Sequence, residues 1–127
     1  MEELYSKLQK DPYANLLGIK VEKVEQGYSL CSVIITESML NFLGLPHGGL
    51  MFSLADVAFS AASNSDYSPS FALDVSGSFM KPAKVGERIT SEATLIHTTK
   101  RTGVYKMEVK KENELLAIFH GTVFRKV

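Results

Sequence analysis

The chain has 127 residues, of which 45% are hydrophobic and 22% charged, as is usual for a globular protein. Its 14 Lys and Arg residues balance its 14 Asp and Glu residues, which argues against a nucleic-acid partner because such a partner requires a basic face. The length predicts a single domain over residues 1–127. No apolar run approaches the roughly 20 residues of a membrane span. The acidic N-terminus and the lone Cys31 fit a cytoplasmic protein without a membrane partner.

The first half of the chain predicts two strands followed by one long helix. A short helix over residues 2–10 is stopped by Asp11-Pro12, and the segment LLGIKVEKVE at 16–25 is typical of a strand. After a turn at Gly27, the β-branched run YSLCSVIIT predicts the second strand. The segment from Gly48 to about Ser65 is rich in Ala, Leu, Met and Phe and lacks proline, so it predicts the main helix.

The second half predicts four strands, over residues 71–80, 87–99, 103–111 and 115–125. GVYKMEVKK alternates apolar and polar residues, whereas LLAIFHGTVF is apolar on both faces, as in a central strand. KENE between them is a plausible hairpin turn. The fold class is therefore α+β, an antiparallel sheet wrapped around one long helix.

Small and polar residues form one stripe along the main helix, with spacings of 4, 3, 4 and 3: Gly49, Ser53, Asp56, Ser60 and Ser63. The other helix positions, Phe52 among them, are mainly apolar and are expected to be buried. Asp56 is the only ionisable residue of the stripe. It is either a solvated or ion-paired carboxylate, or a partly desolvated base with a raised pKa that faces a site.

The helix begins with His47, Gly48 and Gly49, which offer backbone N–H groups without partners inside the helix. Because the helix dipole makes this end positive, it can bind an oxyanion. The alternatives are a glycine turn that relieves a tight entry, and a histidine that only anchors the loop.

The spacing along the helix separates the potential oxyanion donor from the carboxylate. Gly49 and Asp56 are seven residues apart, which is about 10 Å along a regular helix axis. A single carbonyl carbon cannot lie within about 3 Å of both groups. If both act on one substrate atom, they come from different chains, which predicts a two-fold dimer with two shared sites.

The sequence resembles the hotdog-fold acyl-CoA thioesterases, specifically the PaaI-like group named for phenylacetate degradation. The resemblance rests on Asn41-x-x-Gly44-x-x-His47-Gly48-Gly49 and Leu54-Ala55-Asp56, and then on ASNS at 62–65, FMKPA at 79–83 and TGVY at 102–105. It implies thioester hydrolysis, with Asp56 as nucleophile or general base and the Gly49 amide polarising the thioester carbonyl. Asn41 and His47 match positions that orient the thioester or water.

The resemblance also implies a binding surface for an acyl-CoA substrate. Coenzyme A enters as part of that substrate, and no metal or separate cofactor is expected. The assembly would be a homodimer with shared active sites, and commonly a homotetramer. Ser78 and Ser63 depart from residues that are frequent in the family. The expected substrate-binding residues are Gly48, Ser60, Ser63, Phe79, Lys81, Pro82, Lys84, Lys100, Arg101, Thr102 and Gly103, with the four basic side chains as candidates for the phosphates or as ordinary solvated charges.

Two other functions stay open on the sequence. A hotdog-fold hydroxyacyl-CoA dehydratase would use a histidine with an acidic partner. A non-catalytic acyl-CoA-binding module would use the same fold for sensing. The pairing of HGG with Asp56 favours hydrolysis over both.

Overall fold

The computed structural model describes residues 1–66 and 68–126, and within them six strands form one antiparallel sheet around a central helix. The strand order is β1-β2-β4-β5-β6-β3. The helices are α1 (Glu2–Leu8), α2 (Pro12–Leu17) and α3 (Gly48–Ser63), and the strands are β1 (Lys20–Glu25), β2 (Tyr28–Ile34), β3 (Ser70–Phe79), β4 (Arg88–Thr98), β5 (Thr102–Lys111) and β6 (Glu114–Arg125). The predicted α+β class and sheet-around-helix arrangement are confirmed.

Helix α3 is buried because the sheet curves around most of its circumference. Its apolar residues and the inward side chains of β2, β4, β5 and β6 form one core. Phe59 is fully buried at the centre, with its ring 5.7 Å from that of Tyr105. Gly121 permits this contact, since a Cβ there would lie 2.6 Å from the Phe59 ring. Helix and sheet are therefore held at a fixed separation by close packing.

Strand β3 lies at the sheet edge and runs alongside α3 in the opposite direction. The Ser70 hydroxyl donates to the Ser63 carbonyl at 3.0 Å, at the end of α3. The Phe79 ring packs over Gly48, at the start of α3. Gly77 allows β3 to pack closely against β6, because a Cβ at this position would lie 2.2 Å from the Ile118 carbonyl oxygen. Despite this pairing with β6, most of β3 is exposed.

Helix α2 is the main departure from the predicted elements. The strand predicted over residues 16–25 begins only at Lys20, because α2 occupies residues 12–17. Asp11 caps this helix by accepting from Ala14 N at 3.1 Å, Pro12 fills its first turn, and Gly18 ends it in the left-handed region at φ 76°. Asp11-Pro12 was therefore interpreted wrongly as a stop alone, since it also starts a helix.

Other boundaries shift less. Helix α1 ends at Leu8, and α3 ends at Ser63 because Asn64 leaves the helix. Phe52 was expected to be buried but is 40% exposed, and its ring meets Phe119 edge to face at 5.6 Å. No helix in the described ranges is long and apolar enough to cross a membrane.

Candidate active site

The start of α3 is capped by its own histidine. His47 precedes the helix in an extended conformation, and its Nδ1 accepts from the Gly49 N–H at 3.0 Å. A ring nitrogen that accepts a hydrogen bond carries no proton, so this geometry fits an imidazole protonated on Nε2. The Gly49 amide predicted to polarise a substrate carbonyl is therefore already occupied in this arrangement. The role of the Gly49 amide stays a prediction, and this contact is the anchoring one that the sequence left open for His47.

The neighbouring amide is the one that stays open. Within the described ranges, the Gly48 N–H has no hydrogen-bond acceptor. Gly48 lines a cavity of about 250 Å³ beneath the edge of β3. The other lining residues, several of them predicted from the sequence, are Asn41, Leu45, Pro46, Met51, Phe79, Met80, Lys81 and Pro82. We call this space the Gly48 cavity.

Asn41 belongs to the Gly48 cavity and also shapes the loop before the helix. Its Oδ1 accepts from Leu43 N at 2.9 Å and from Leu45 N at 3.1 Å. These two bonds assign the side-chain oxygen and nitrogen, because only the oxygen can accept. The Nδ2 group is thus left to donate, so the structure places a second donor beside Gly48.

Asp56 lies half-way along α3, at a different cavity. This Asp56 cavity has a volume of about 420 Å³ and is also lined by Phe59, Ser60, Ser63, Ser70, Phe71, Ala72 and Val123. The carboxylate is exposed in the single chain, yet the protein around it already removes part of its solvent. This burial raises the pKa of Asp56, and the negative charge of Asp11 adds to the increase. A carboxylate of this kind is a stronger base than a fully solvated one.

The stripe on α3 divides between two cavities, because Ser53 lines the space beside α2 whereas Asp56, Ser60 and Ser63 line the Asp56 cavity. Ser53 is buried, and its Oγ lies 2.8 Å from the Tyr13 hydroxyl of α2. Asp11 and Tyr13 were not among the predicted site residues. The Asp-Pro pair that begins α2 was the available signal, because it is a helix N-cap followed by a favoured first-turn proline.

The four basic candidates for phosphate binding do not meet within one chain. Lys81 pairs with Glu114 at 2.7 Å near the Phe79 end of β3, and Lys84 follows it. Lys100 and Arg101 lie in the β4–β5 turn, where the Arg101 carbonyl accepts from Arg125 N beside Ser70. The ten residues of β3 separate the two pairs by about 30 Å at ~3.3 Å per residue.

Thr102 and Gly103, the TG motif at the same turn, make contacts that stabilise the fold. The Thr102 hydroxyl lies 2.6 Å from the Thr99 hydroxyl and closes the turn. Gly103 is buried, and a Cβ there would lie 3.2 Å from the Tyr105 ring. Their predicted contact with substrate stays a prediction.

Gly48 and Asp56 stand eight residues apart on α3, about 12 Å along its axis. Each lines its own cavity, and the two cavities open along β3 toward its opposite ends. The chain therefore carries a donor pair and a carboxylate as separate half-sites. A long helix enclosed by an antiparallel sheet, with an open amide at its start and a carboxylate half-way along, is the architecture of a hotdog-fold thioester hydrolase.

Comparison with known proteins agrees with this class. Residues 43–118 match the family model described as Thioesterase superfamily, and the chain belongs to that family. A putative esterase of Archaeoglobus fulgidus is 37% identical over 92% of this chain and 77% of its own length. Acyl-coenzyme A thioesterase PaaI of Escherichia coli is 33% identical over 98% of this chain and 89% of its own length.

The fold comparison gives the same result. The solved structure of the Escherichia coli PaaI protein superposes with a TM-score of 0.93, covering 99% of this chain and 92% of that one at 31% identity. The hotdog fold and the enzyme class predicted from the sequence are confirmed.

The surroundings of Asp56 lead to a test of its pKa. We expect Asp11→Asn to lower the pKa of Asp56, because it removes a negative charge that disfavours the ionised form. Asparagine caps a helix as well as aspartate does, so α2 should persist. Carboxyl-carbon NMR titration measures the shift. Because Asp56 is ionised above its pKa, a reaction that needs its carboxylate should extend to lower pH in this variant.

The control is Glu112→Gln, which removes a charge in the β5–β6 turn. It should leave the Asp56 titration where it is in the wild type. An Asp56 pKa that is the same in Asp11→Asn and wild type contradicts the role given to Asp11.

Proposed function

We propose that this protein hydrolyses the thioester of an aryl- or medium-chain acyl-CoA to the free acid and coenzyme A. The observation that carries the proposal is the open Gly48 N–H beside the Asn41 amide, at the positive end of a helix that also holds Asp56. The Escherichia coli relative, named an acyl-coenzyme A thioesterase, supports the substrate class.

The reaction uses the donors of one chain and the carboxylate of the other on the same carbonyl group. The Gly48 N–H and the Asn41 Nδ2 donate to the thioester oxygen and stabilise the charge that forms there, a contribution typically worth about 3–4 kcal/mol per donor. Asp56 attacks the carbonyl carbon, or takes a proton from the water that does. After the C–O bond forms, the C–S bond breaks. In the general-base route the proton taken from water passes to the thiolate of coenzyme A. In the nucleophilic route an anhydride of Asp56 and the acyl group forms, and water hydrolyses it, which regenerates Asp56 and supplies the proton of the thiol. Base chemistry of this kind needs Asp56 ionised, so activity should rise with pH through its raised pKa.

The exposed edge of β3 is the surface through which two chains would pair to form one site. Strand β3 is an edge strand with unpaired backbone groups and large exposed side chains, including Phe71 at 58% and Leu73 at 60%. Such an edge favours pairing with another strand. Two-fold pairing of β3 with its copy is antiparallel, so the Phe79 end of one strand meets the Ser70 end of the other. The Gly48 cavity of one chain then faces the Asp56 cavity of the second.

The same pairing accounts for the basic residues. Lys81 and Lys84 lie at the Phe79 end, and Lys100 and Arg101 lie beside the Ser70 end of the strand. Antiparallel pairing brings one set from each chain to the same end of the extended sheet, where they can share the phosphates of one coenzyme A. The homotetramer stays a prediction, as does the cytoplasmic location.

The dehydratase alternative is less well supported. Such an enzyme needs a histidine that exchanges protons with substrate, whereas His47 Nδ1 accepts from the Gly49 amide. The non-catalytic module shares the fold and the cavities, and a hydrolysis assay separates it from the enzyme. The relevant screen covers aryl and alkyl acyl-CoAs with detection of the released thiol.

Removing the charge of Asp56 tests the chemistry. We expect Asp56→Asn to lower kcat at least ~100-fold, since general-base catalysis typically contributes that much or more. Acyl-CoA binding and the circular dichroism spectrum should be retained because Asp56 is an exposed residue. Glu25→Gln makes a matched change at the end of β1 and should keep wild-type activity. Full activity in folded Asp56→Asn would sink the mechanism.

Gly48→Pro tests the amide donor. Proline is favoured at the first position of a helix and lacks the N–H, and the extended His47, at φ −65° and ψ 138°, is compatible with a following proline. We expect kcat to fall about 100-fold with α3 retained by circular dichroism.

Gly48→Ala is the matched control, because it adds a Cβ against the Phe79 ring but keeps the N–H. It should stay well above the proline variant in kcat. Equal losses in the two variants would assign the effect to crowding and exclude the Gly48 amide as the donor.

Mixing inactive chains tests the shared site. In a dimer of one Asp56→Ala chain with one Asn41→Ala chain, one site holds both defects and the other holds neither. We expect about half of the wild-type activity per dimer, because sites built from two chains segregate in this way. Tagged chains purified as a verified heterodimer provide the sample. Its failure to exceed either homodimer would place the donors and the carboxylate of each site in the same chain.

A further inference from the structure

A third cavity lies between α2 and the start of α3, where Gly49 borders it next to the Gly48 of the Gly48 cavity. This α2 cavity has a volume of about 290 Å³. Its walls are mostly apolar, and it borders the helix start at His47 and Gly49. The full lining is Tyr13, Leu16, Leu17, Ser38, Met39, Leu40, His47, Gly49, Leu50 and Ser53.

We propose that the α2 cavity receives the acyl group of the substrate and that Tyr13 limits its length. The inference rests on the proposed function, and it assigns to α2 a specificity role in the same reaction. Its ligand is a small apolar acyl group, either a single aromatic ring or an alkyl chain from the short end of the medium-chain range.

The two cavities at the helix start differ in the chemistry they offer. Gly48 borders the one with Asn41 and Lys81, whereas Gly49 borders the one with aliphatic side chains. A thioester held at the Gly48 N–H has an anionic coenzyme A on its sulfur side and an apolar group on its carbonyl side. The sulfur side carries the amide-bearing pantetheine arm, which suits the cavity lined by the Asn41 amide. The acyl side then enters the α2 cavity, where burial of apolar surface is favourable.

The Asp56 cavity is a poorer place for the acyl group. Its lining mixes Asp56, Ser60, Ser63 and Ser70 with the apolar Phe59, Phe71, Ala72 and Val123. An alkyl chain buried there would remove further water from the Asp56 carboxylate. The same lining suits the attacking water, which needs several polar partners.

Tyr13 gives the α2 cavity a defined limit. Its hydroxyl bonds with Ser53 Oγ at 2.8 Å, which holds the ring against α3 although the side chain is 55% exposed. Cavities for drug-sized ligands range from about 300 to 1,000 Å³, so this one is at the small end. A long fatty acyl chain would have to displace the ring.

The test is the dependence of kcat/KM on acyl length, measured with straight-chain acyl-CoAs from acetyl to decanoyl. We expect Tyr13→Ala to raise the decanoyl-to-acetyl ratio of kcat/KM about tenfold, the smallest effect typical of added space in an apolar pocket. Leu16→Trp should lower that ratio by a similar factor, because it enlarges a lining side chain. Leu16 is 79% exposed, so this variant should fold even if Tyr13→Ala does not.

Tyr5→Ala is the matched control, since Tyr5 lies on α1 outside the α2 cavity and should leave the ratio unchanged. Ratios within twofold of wild type in both Tyr13→Ala and Leu16→Trp would overturn the proposal. Calorimetric measurement of acetyl- and decanoyl-CoA binding to the same variants tests the acyl site separately from the hydrolase activity. A Tyr13-dependent preference in binding without any hydrolysis would refute the proposed function and retain the acyl site.

Discussion

The length of a rigid helix controls how this molecule can do chemistry. Gly48 and Asp56 share α3 and are separated by eight residues, about 12 Å of axial rise. Neither can move toward the other, because α3 is packed on most sides by the sheet and Phe59 fills the space that Gly121 leaves. A carbonyl group that needs both a hydrogen-bond donor and a carboxylate within contact distance therefore requires a second copy of the helix. Two antiparallel copies related by a two-fold axis satisfy both sites at once.

The start of the helix shows how neighbouring amides can acquire different roles. The first-turn N–H groups of any helix lack internal partners, so each is a potential anion ligand. His47 Nδ1 satisfies the Gly49 amide, and the Gly48 amide is left open toward Asn41. Capping by a neutral histidine stabilises the turn without occupying the donor that faces the Gly48 cavity. Asp11 acts in a comparable way on two features, since it caps α2 and adds its charge to the burial that raises the pKa of Asp56.

The sequence predicted the helix and the sheet from regular patterns, whereas features set by single contacts could not be predicted from it. The dimeric site stays a prediction. The 4-3-4-3 stripe and the alternation in GVYKMEVKK are periodic signals that packing preserves. Which of the Gly48 and Gly49 amides stays open depends on the His47 ring, which accepts a hydrogen bond from the residue two positions later. The spacing of residues in the sequence does not reveal such a contact. Helix α2 was missed because Asp11-Pro12 is both a stop for α1 and a start for α2, and a strand-like segment follows it. The separation of Lys81 from Arg101 depends on sheet order, which pairs distant segments.

The exposed edge of β3 affects both the stability of the protein and the assembly of the proposed site. An exposed apolar edge such as that of β3, with Phe71, Leu73 and Phe79 on it, is an aggregation liability when left open. Pairing with any strand would relieve that liability, but only antiparallel pairing with its own copy also places the Gly48 cavity against the Asp56 cavity. Parallel pairing would set each half-site beside its duplicate and leave two carboxylates together. In the proposed dimer, the direction of β3 relative to α3, fixed by Ser70 at one end and Phe79 at the other, would let the contact that covers the edge also complete the site.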